Sequence, residues 1–145
     1  MRGQHPEMEK HFTLTDDELE RQIGRCEFTP ADFTHEVHVR LAWILIERYG
    51  IETAEKRIQE LLLCFVDFAG AKDKYNTTLT VAAIRAVYHF WQKSNSNNFH
   101  DFIREFPRLK FNFKELLNTH YGFDIYASDQ ARLSFMEPDL LPFDE

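Results

Sequence analysis

Thr34-His-Glu-Val-His-Val-Arg-Leu-Ala-Trp-Ile-Leu-Ile-Glu-Arg-Tyr-Gly50 is the stretch whose reading decides the fold. Its apolar residues recur at helical spacing. Thr34 can cap a helix start, and Gly50 offers the left-handed stop at which helices end. Placed at about 100° per residue, His35, His38, Ala42, Leu45, Ile46 and Tyr49 fall on one side. Glu36, Arg40 and Glu47 fall on the other, with Glu36–Arg40 spaced as an i,i+4 ion pair. Two imidazoles are therefore expected to lead a core-facing stripe.

The same periodicity continues outward. Ile58, Leu61, Leu62, Phe65, Phe68 and Ala69 define a second helix over about 52–69, stopped by Gly70. Leu79, Ala83, Ile84, Val87, Phe90 and Trp91 define a third over about 76–93. On the N-terminal side, Thr15-Asp-Asp-Glu18 is a capping box opening a short helix that runs to about Cys26. Thr29-Pro30 starts a single turn. On the C-terminal side, short helices are expected over 99–106, 113–121 and 128–135. A proline-containing tail, Glu137 to Glu145, should be extended, with its Leu-Leu-Pro-Phe centre against the body. No strand-period segment, internal repeat or domain-scale linker interrupts the chain. The expected fold is all-α, a single-domain helical bundle of three long helices with short flanking helices. Residues 1–13 are read as a flexible N-terminal tail and 14–145 as the domain.

Composition narrows the function classes. Fourteen phenylalanines in 145 residues imply an aromatic-rich core. A formal net charge of −7 argues against nucleic acid and against an anionic membrane as partner. No apolar run approaches the roughly 20 residues that span a bilayer. Cys26 and Cys64 lack any metal-ligand spacing. With no signal-peptide pattern, both read as free thiols and the cytoplasm as the location, Cys64 as a small buried hydrophobe. His5 and His11 fall in the expected tail, and His100 and His120 read as surface or rim residues.

The functional candidates converge by topology. Short connections make successive long helices antiparallel, so the first and third share an N-terminal end. His35 and His38 would there meet Lys74, Tyr75, Asn76 and Thr80. Two helix N-termini at one end favour an anionic ligand and a neutral imidazole. Three readings stand for the pair. They are ligands of a divalent transition metal, donors or a general base in a metal-free small-molecule pocket, or core histidines satisfied by hydrogen bonds. His-Glu-Val-His is not the His-Glu-x-x-His of a metalloprotease. Asn76, Thr77 and Thr78 are also good helix caps. A competing reading is a non-enzymatic interaction or scaffold protein. Its aromatic surface would be Tyr88, Phe90, Phe111 or the Leu140–Phe143 tail. The sequence leaves the oligomeric state open.

Phe33-Thr34-His35, His38 and Ala42, then Lys74-Tyr75 with Thr78 and Thr80, form one pattern. Tyr126, Ser128, Ala131-Arg132, Phe135 and Pro138-Asp139-Leu140 complete it. In these residues the chain resembles a family of small bacterial α-helical proteins that carries no established activity. In that family the middle motif often reads Lys-Tyr-His-Glu-Thr, which would add a third imidazole to His35 and His38. Here Lys74-Tyr75-Asn76-Thr77-Thr78 places asparagine there. The resemblance therefore implies a polar pocket with a reduced metal-ligand set.

Overall fold

The computed structural model describes residues 9–143. Among these, seven α-helices form and no strand does. They are α1 (Asp16–Gly24), α2 (His35–Phe68), α3 (Thr77–Trp91), α4 (Phe99–Glu105), α5 (Arg108–Phe111), α6 (Phe113–Asn118) and α7 (Asp129–Leu133). Single 3-10 turns occupy Lys10–Thr13, Pro30–Asp32 and Lys72–Lys74. The all-α bundle is as expected. Among the described residues no helix is long and apolar enough to cross a membrane.

The helix starts follow local chemistry. The Thr15 hydroxyl accepts from Glu18 N while the Glu18 carboxylate accepts from Thr15 N, a complete capping box. Thr34, Asn76, Asn98 and Ser128 each accept the backbone N–H three residues on. α2 is two long arms joined at Gly50, whose φ of 80° and ψ of 165° are non-helical. The Phe33 ring lies 5.2 Å from Phe65 and 6.3 Å from His38. The start of the first arm is thus beside the end of the second, and the arms run antiparallel. α3 completes the three long elements. Its Trp91 indole donates to Glu47 and its Arg85 pairs with Glu55, both at the Gly50 end.

The first arm is not amphipathic as the wheel suggests. Every residue from Val39 to Ile46 is buried. α1 covers it through Arg40–Asp16, α4 through Trp43 against Phe99 and Phe102, and α3 through Trp91–Glu47. A helix that is apolar nearly all round belongs in a core. Ile58, Leu62 and Phe65 of the second arm, Ala83, Ile84 and Val87 of α3, and Phe102, Leu109 and Leu117 fill the rest.

Of the expected tail 1–13, residues 1–8, including His5, lie outside the described residues. Lys10–Thr13 is a turn whose His11 is 2% exposed. At the other end, residues 134–143 are stitched to the body. Phe143 is buried against His120, with ring centroids 4.4 Å apart, whereas Leu140 is exposed.

Candidate functional site

The predicted pocket residues do not converge as a set of free polar groups. His35 is exposed. Its Nε2–H donates to the carbonyl of Leu109 at 2.8 Å, and its ring lies 4.6 Å from that of Phe113. His38 differs. Its Nε2 is the one buried side-chain polar atom among the described residues that lacks a hydrogen-bond partner. Burial, and secondarily the charge of His35, pulls the His38 pKa down to about 4. Asn76 is spent on the fold. Its Oδ1 caps Leu79 N at 2.9 Å, and its Nδ2 donates to Ile125 O at 2.8 Å. The Thr80 hydroxyl donates back to Asn76 O at 2.9 Å. Lys74 is exposed. Tyr75 is half-buried; burial pushes its phenol up against the hydroxyls of Thr80 and Thr77, which pull it down.

The face assigned to Glu36 and Arg40 is corrected. These residues are 3% and 5% exposed, not outward-facing, and they do not pair with each other. The covering segment that sequence periodicity could not supply is the Lys10–Thr13 turn. Glu36 Oε1 accepts from His11 Nε2 at 2.7 Å, and Glu36 Oε2 meets Lys110 Nζ at 2.9 Å. Arg40 Nη1 donates to His11 O at 2.6 Å and to His11 Nδ1 at 3.1 Å. Its Nη2 reaches Leu14 O at 2.9 Å and Asp16 Oδ1 at 2.8 Å. Glu9 closes the cluster, 3.6 Å from Lys110 and hydrogen-bonded to Thr34.

Glu9, His11 and Glu36 offer three metal-ligating atoms within 4.8 Å of one another. The surrounding donors do not fit a metal. A guanidinium can only donate, so His11 Nδ1 must present its lone pair to Arg40. The ring proton then sits on Nε2 and is given to Glu36, leaving no lone pair for an ion. Lys110 already supplies the cation between the two carboxylates, which hold its pKa up against the opposing effect of burial. Burial lowers the His11 pKa, opposed by Glu36, so the ring is neutral at pH 7. The cluster is a satisfied buried ion network, and breaking one partner leaves others uncompensated.

Open crevices among the described residues include three. Two flank the C-terminal segment, with volumes of about 390 and 340 Å³, and share His89 and Phe143. The third, about 410 Å³, lies between α1 and the second arm of α2. None of the six predicted pocket residues lines these three. The third crevice is lined by Arg21, Arg25 and Arg57, with Asp17, Glu20, Gly24 and Leu61. Its two acids are both paired, Asp17 outside the crevice and Glu20 partly with Arg57 inside it. Asp17 pairs with Arg48, while Glu20 accepts from Arg48 Nη1 at 3.2 Å, Arg57 Nε at 3.2 Å and the Tyr49 hydroxyl at 3.0 Å. Arg57 is thereby fixed at Nε and over the Tyr49 ring, 5.4 Å from its centroid. Its two Nη groups have no hydrogen-bond partner among the described residues. Arg21 and Arg25, four apart at the end of α1, are exposed and make no side-chain hydrogen bond or ion pair among those residues.

The aromatic surface named as the alternative is mostly packed. Tyr88 stacks on Trp91 at 5.7 Å and Phe90 lies 5.0 Å from Phe106, leaving Phe111 and Leu140 open at 71% and 59% exposure. Two cysteine and histidine readings also change. Cys64 is exposed rather than buried, and His120 is buried rather than at the rim, its Nδ1–H donating to Leu141 O. Compared with models of protein families, with curated proteins and with solved structures, the chain matches none.

Proposed function

We propose that this chain is a binding protein for a small anion, held in the crevice between α1 and α2 by Arg21, Arg25 and Arg57. The observation that carries the reading is a local inversion of charge. In a chain of net charge −7, three guanidiniums line one crevice against two acids, of which Asp17 pairs with Arg48 and Glu20 is shared between Arg48 and Arg57. Guanidinium forks match carboxylate and phosphate geometry and bind them bidentately. Arg57 is the pre-oriented member, held by Glu20 and Tyr49, with its Nη edge unpaired among the described residues. The anionic ligand class is the one the sequence favoured, moved from the start of α2 to its second arm. Location in the cytoplasm is part of the proposal, supported by two unpaired thiols. So is membership of the helical family that the chain resembles.

The test is titration with inorganic phosphate and with citrate at low salt, followed by amide chemical shifts. Saturable shifts should be confined to residues around Arg21, Gly24, Arg25 and Arg57. R25Q touches no internal partner and should fold normally while weakening binding about tenfold or more, the loss of a charge-assisted hydrogen bond worth about 1.5–3 kcal/mol. Shifts that are linear in ligand, or an R25Q protein that binds as tightly as the parent, would discard the reading.

A further inference from the structure

α1 ends unusually. Cys26 has φ of 57° and is the only non-glycine residue with positive φ among the described residues. It follows the last turn of α1, where its N–H bonds to Ile23 O while Glu27 and Phe28 N–H both return to Gln22 O. Glycine or asparagine usually takes such a position, because a Cβ there is strained. A strained backbone at a chemically reactive side chain points to use of that side chain.

The packing says what the side chain faces. Phe28 enters the core against Phe33 and Phe65, with ring centroids 6.3 and 6.4 Å apart. That contact registers the exit of α1 on the second arm of α2, one residue from Cys64. The two Sγ atoms lie 3.8 Å apart, across 38 residues of sequence. Cys26 Sγ also sits 3.9 Å from the Cys64 carbonyl oxygen. A disulfide would close this 3.8 Å gap to a bond length of about 2.05 Å.

We infer that Cys26 and Cys64 are a reversible dithiol site, oxidised to an intramolecular disulfide by a hydroperoxide. Exposed Cys64 supplies the attacking thiolate, and half-buried Cys26 the resolving thiol. The Cys64 sulfur attacks the peroxide oxygen. The O–O bond breaks, an alcohol or water leaves with a proton, and Cys64 becomes a sulfenic acid. The Cys26 sulfur then attacks the Cys64 sulfur. The S–O bond breaks, the S–S bond forms and water leaves. In sum, two thiols and one hydroperoxide give one disulfide, one alcohol and one water. A dithiol reductant reverses the step through a mixed disulfide. The roles match the environments, since burial and then the neighbouring Cys64 sulfur hold the Cys26 thiol up in its protonated form. The bond would tie α1 to the second arm of α2 beside the arginine crevice, where Gly24 already approaches Leu61. This inference does not depend on anion binding.

The experiment uses the full chain, fully reduced and then exposed to stoichiometric hydrogen peroxide. Intact mass, thiol alkylation and size-exclusion chromatography are read without reductant. The expected result is a monomer that has lost two hydrogens and both alkylatable thiols together. It should melt several degrees higher, because the closed loop restricts the unfolded chain. Dithiothreitol should restore both thiols and the original melting temperature. C26S should trap one added oxygen on Cys64, and C64S should leave Cys26 unreacted. Oxidation of Cys64 alone in the parent chain, with Cys26 still alkylatable, would overturn the inference. So would covalent dimers in place of the monomeric disulfide.

Discussion

His38 shows how a single side chain can be costly and still tolerated. Its Nε2 is buried with no partner among the described residues, and an unmade buried hydrogen bond costs about 1–3 kcal/mol. The folded protein keeps the ring neutral, with a pKa lowered from 6.5 to about 4. Between these values the unfolded chain holds the proton and the native chain does not. Stability from this site is therefore complete above pH 6.5 and declines as the pH falls through about 4. At 1.36 kcal/mol per unit, the loss is at most roughly 3 kcal/mol. His38→Leu removes both effects. Urea unfolding at pH 7 should show H38L equal to or more stable than the parent, and its stability should fall less steeply between pH 6.5 and 4. A parallel acid profile in H38L would assign the acid sensitivity elsewhere. The imidazole was legible in sequence as a special residue, but its isolation was not. Its expected companions Asn76 and Thr80 are consumed by Ile125 and by the first turn of α3, partners that no local pattern names.

At the scale of elements, what the sequence discloses is what side chains settle within three or four residues. The Thr15–Glu18 box, the caps at Thr34, Asn76 and Ser128 and the stops at Gly50 and Gly70 are local, so they were legible. α5 was not, because four residues following Pro107 carry no period. Nor was the burial of Glu36 and Arg40. They are satisfied by His11, Asp16 and Lys110, between 24 and 74 residues away, and only the unbroken apolar run from Leu41 to Ile46 hints that α2 is covered all round. Gly50 tests the local logic most cleanly. At φ 80° and ψ 165° it occupies a region reserved for glycine, and an added Cβ would meet nothing within 4 Å. Gly50→Ala thus isolates the backbone cost from crowding. It should lower stability by about 1–3 kcal/mol, read as a reduced urea midpoint at unchanged m. An unchanged midpoint would mean that the junction relaxes into a continuous helix instead.

At the scale of the molecule, the C-terminal segment is a strap fastened by Asn76, Thr78, Ser128 and Asp139. Thr78 is fully buried; its hydroxyl donates to Ser134 O at 2.9 Å and accepts from Met136 N at 3.0 Å. Asn76 holds Ile125, Ser128 caps α7, and Asp139 accepts from Gly122 N at 2.8 Å. The Tyr121 hydroxyl donates to Met136 O at 2.7 Å, and Leu140 N–H returns to His120 O. Asn76, Thr78 and Asp139 thus help to close the last third of the chain over α3, independently of any ligand. Thr78→Val keeps the shape but strips two backbone groups of their partner, at about 1–3 kcal/mol each when buried. Because the strap's long-range hydrogen bonds among the described residues run to Thr78 of α3 and to residues 120–122, the loss should be local. Hydrogen exchange of T78V should accelerate at the amides of Met136 and Leu140, while Leu41 to Ile46 retain the protection of global unfolding. Equal acceleration at both sets would show that the strap and the α2 core open as one cooperative unit.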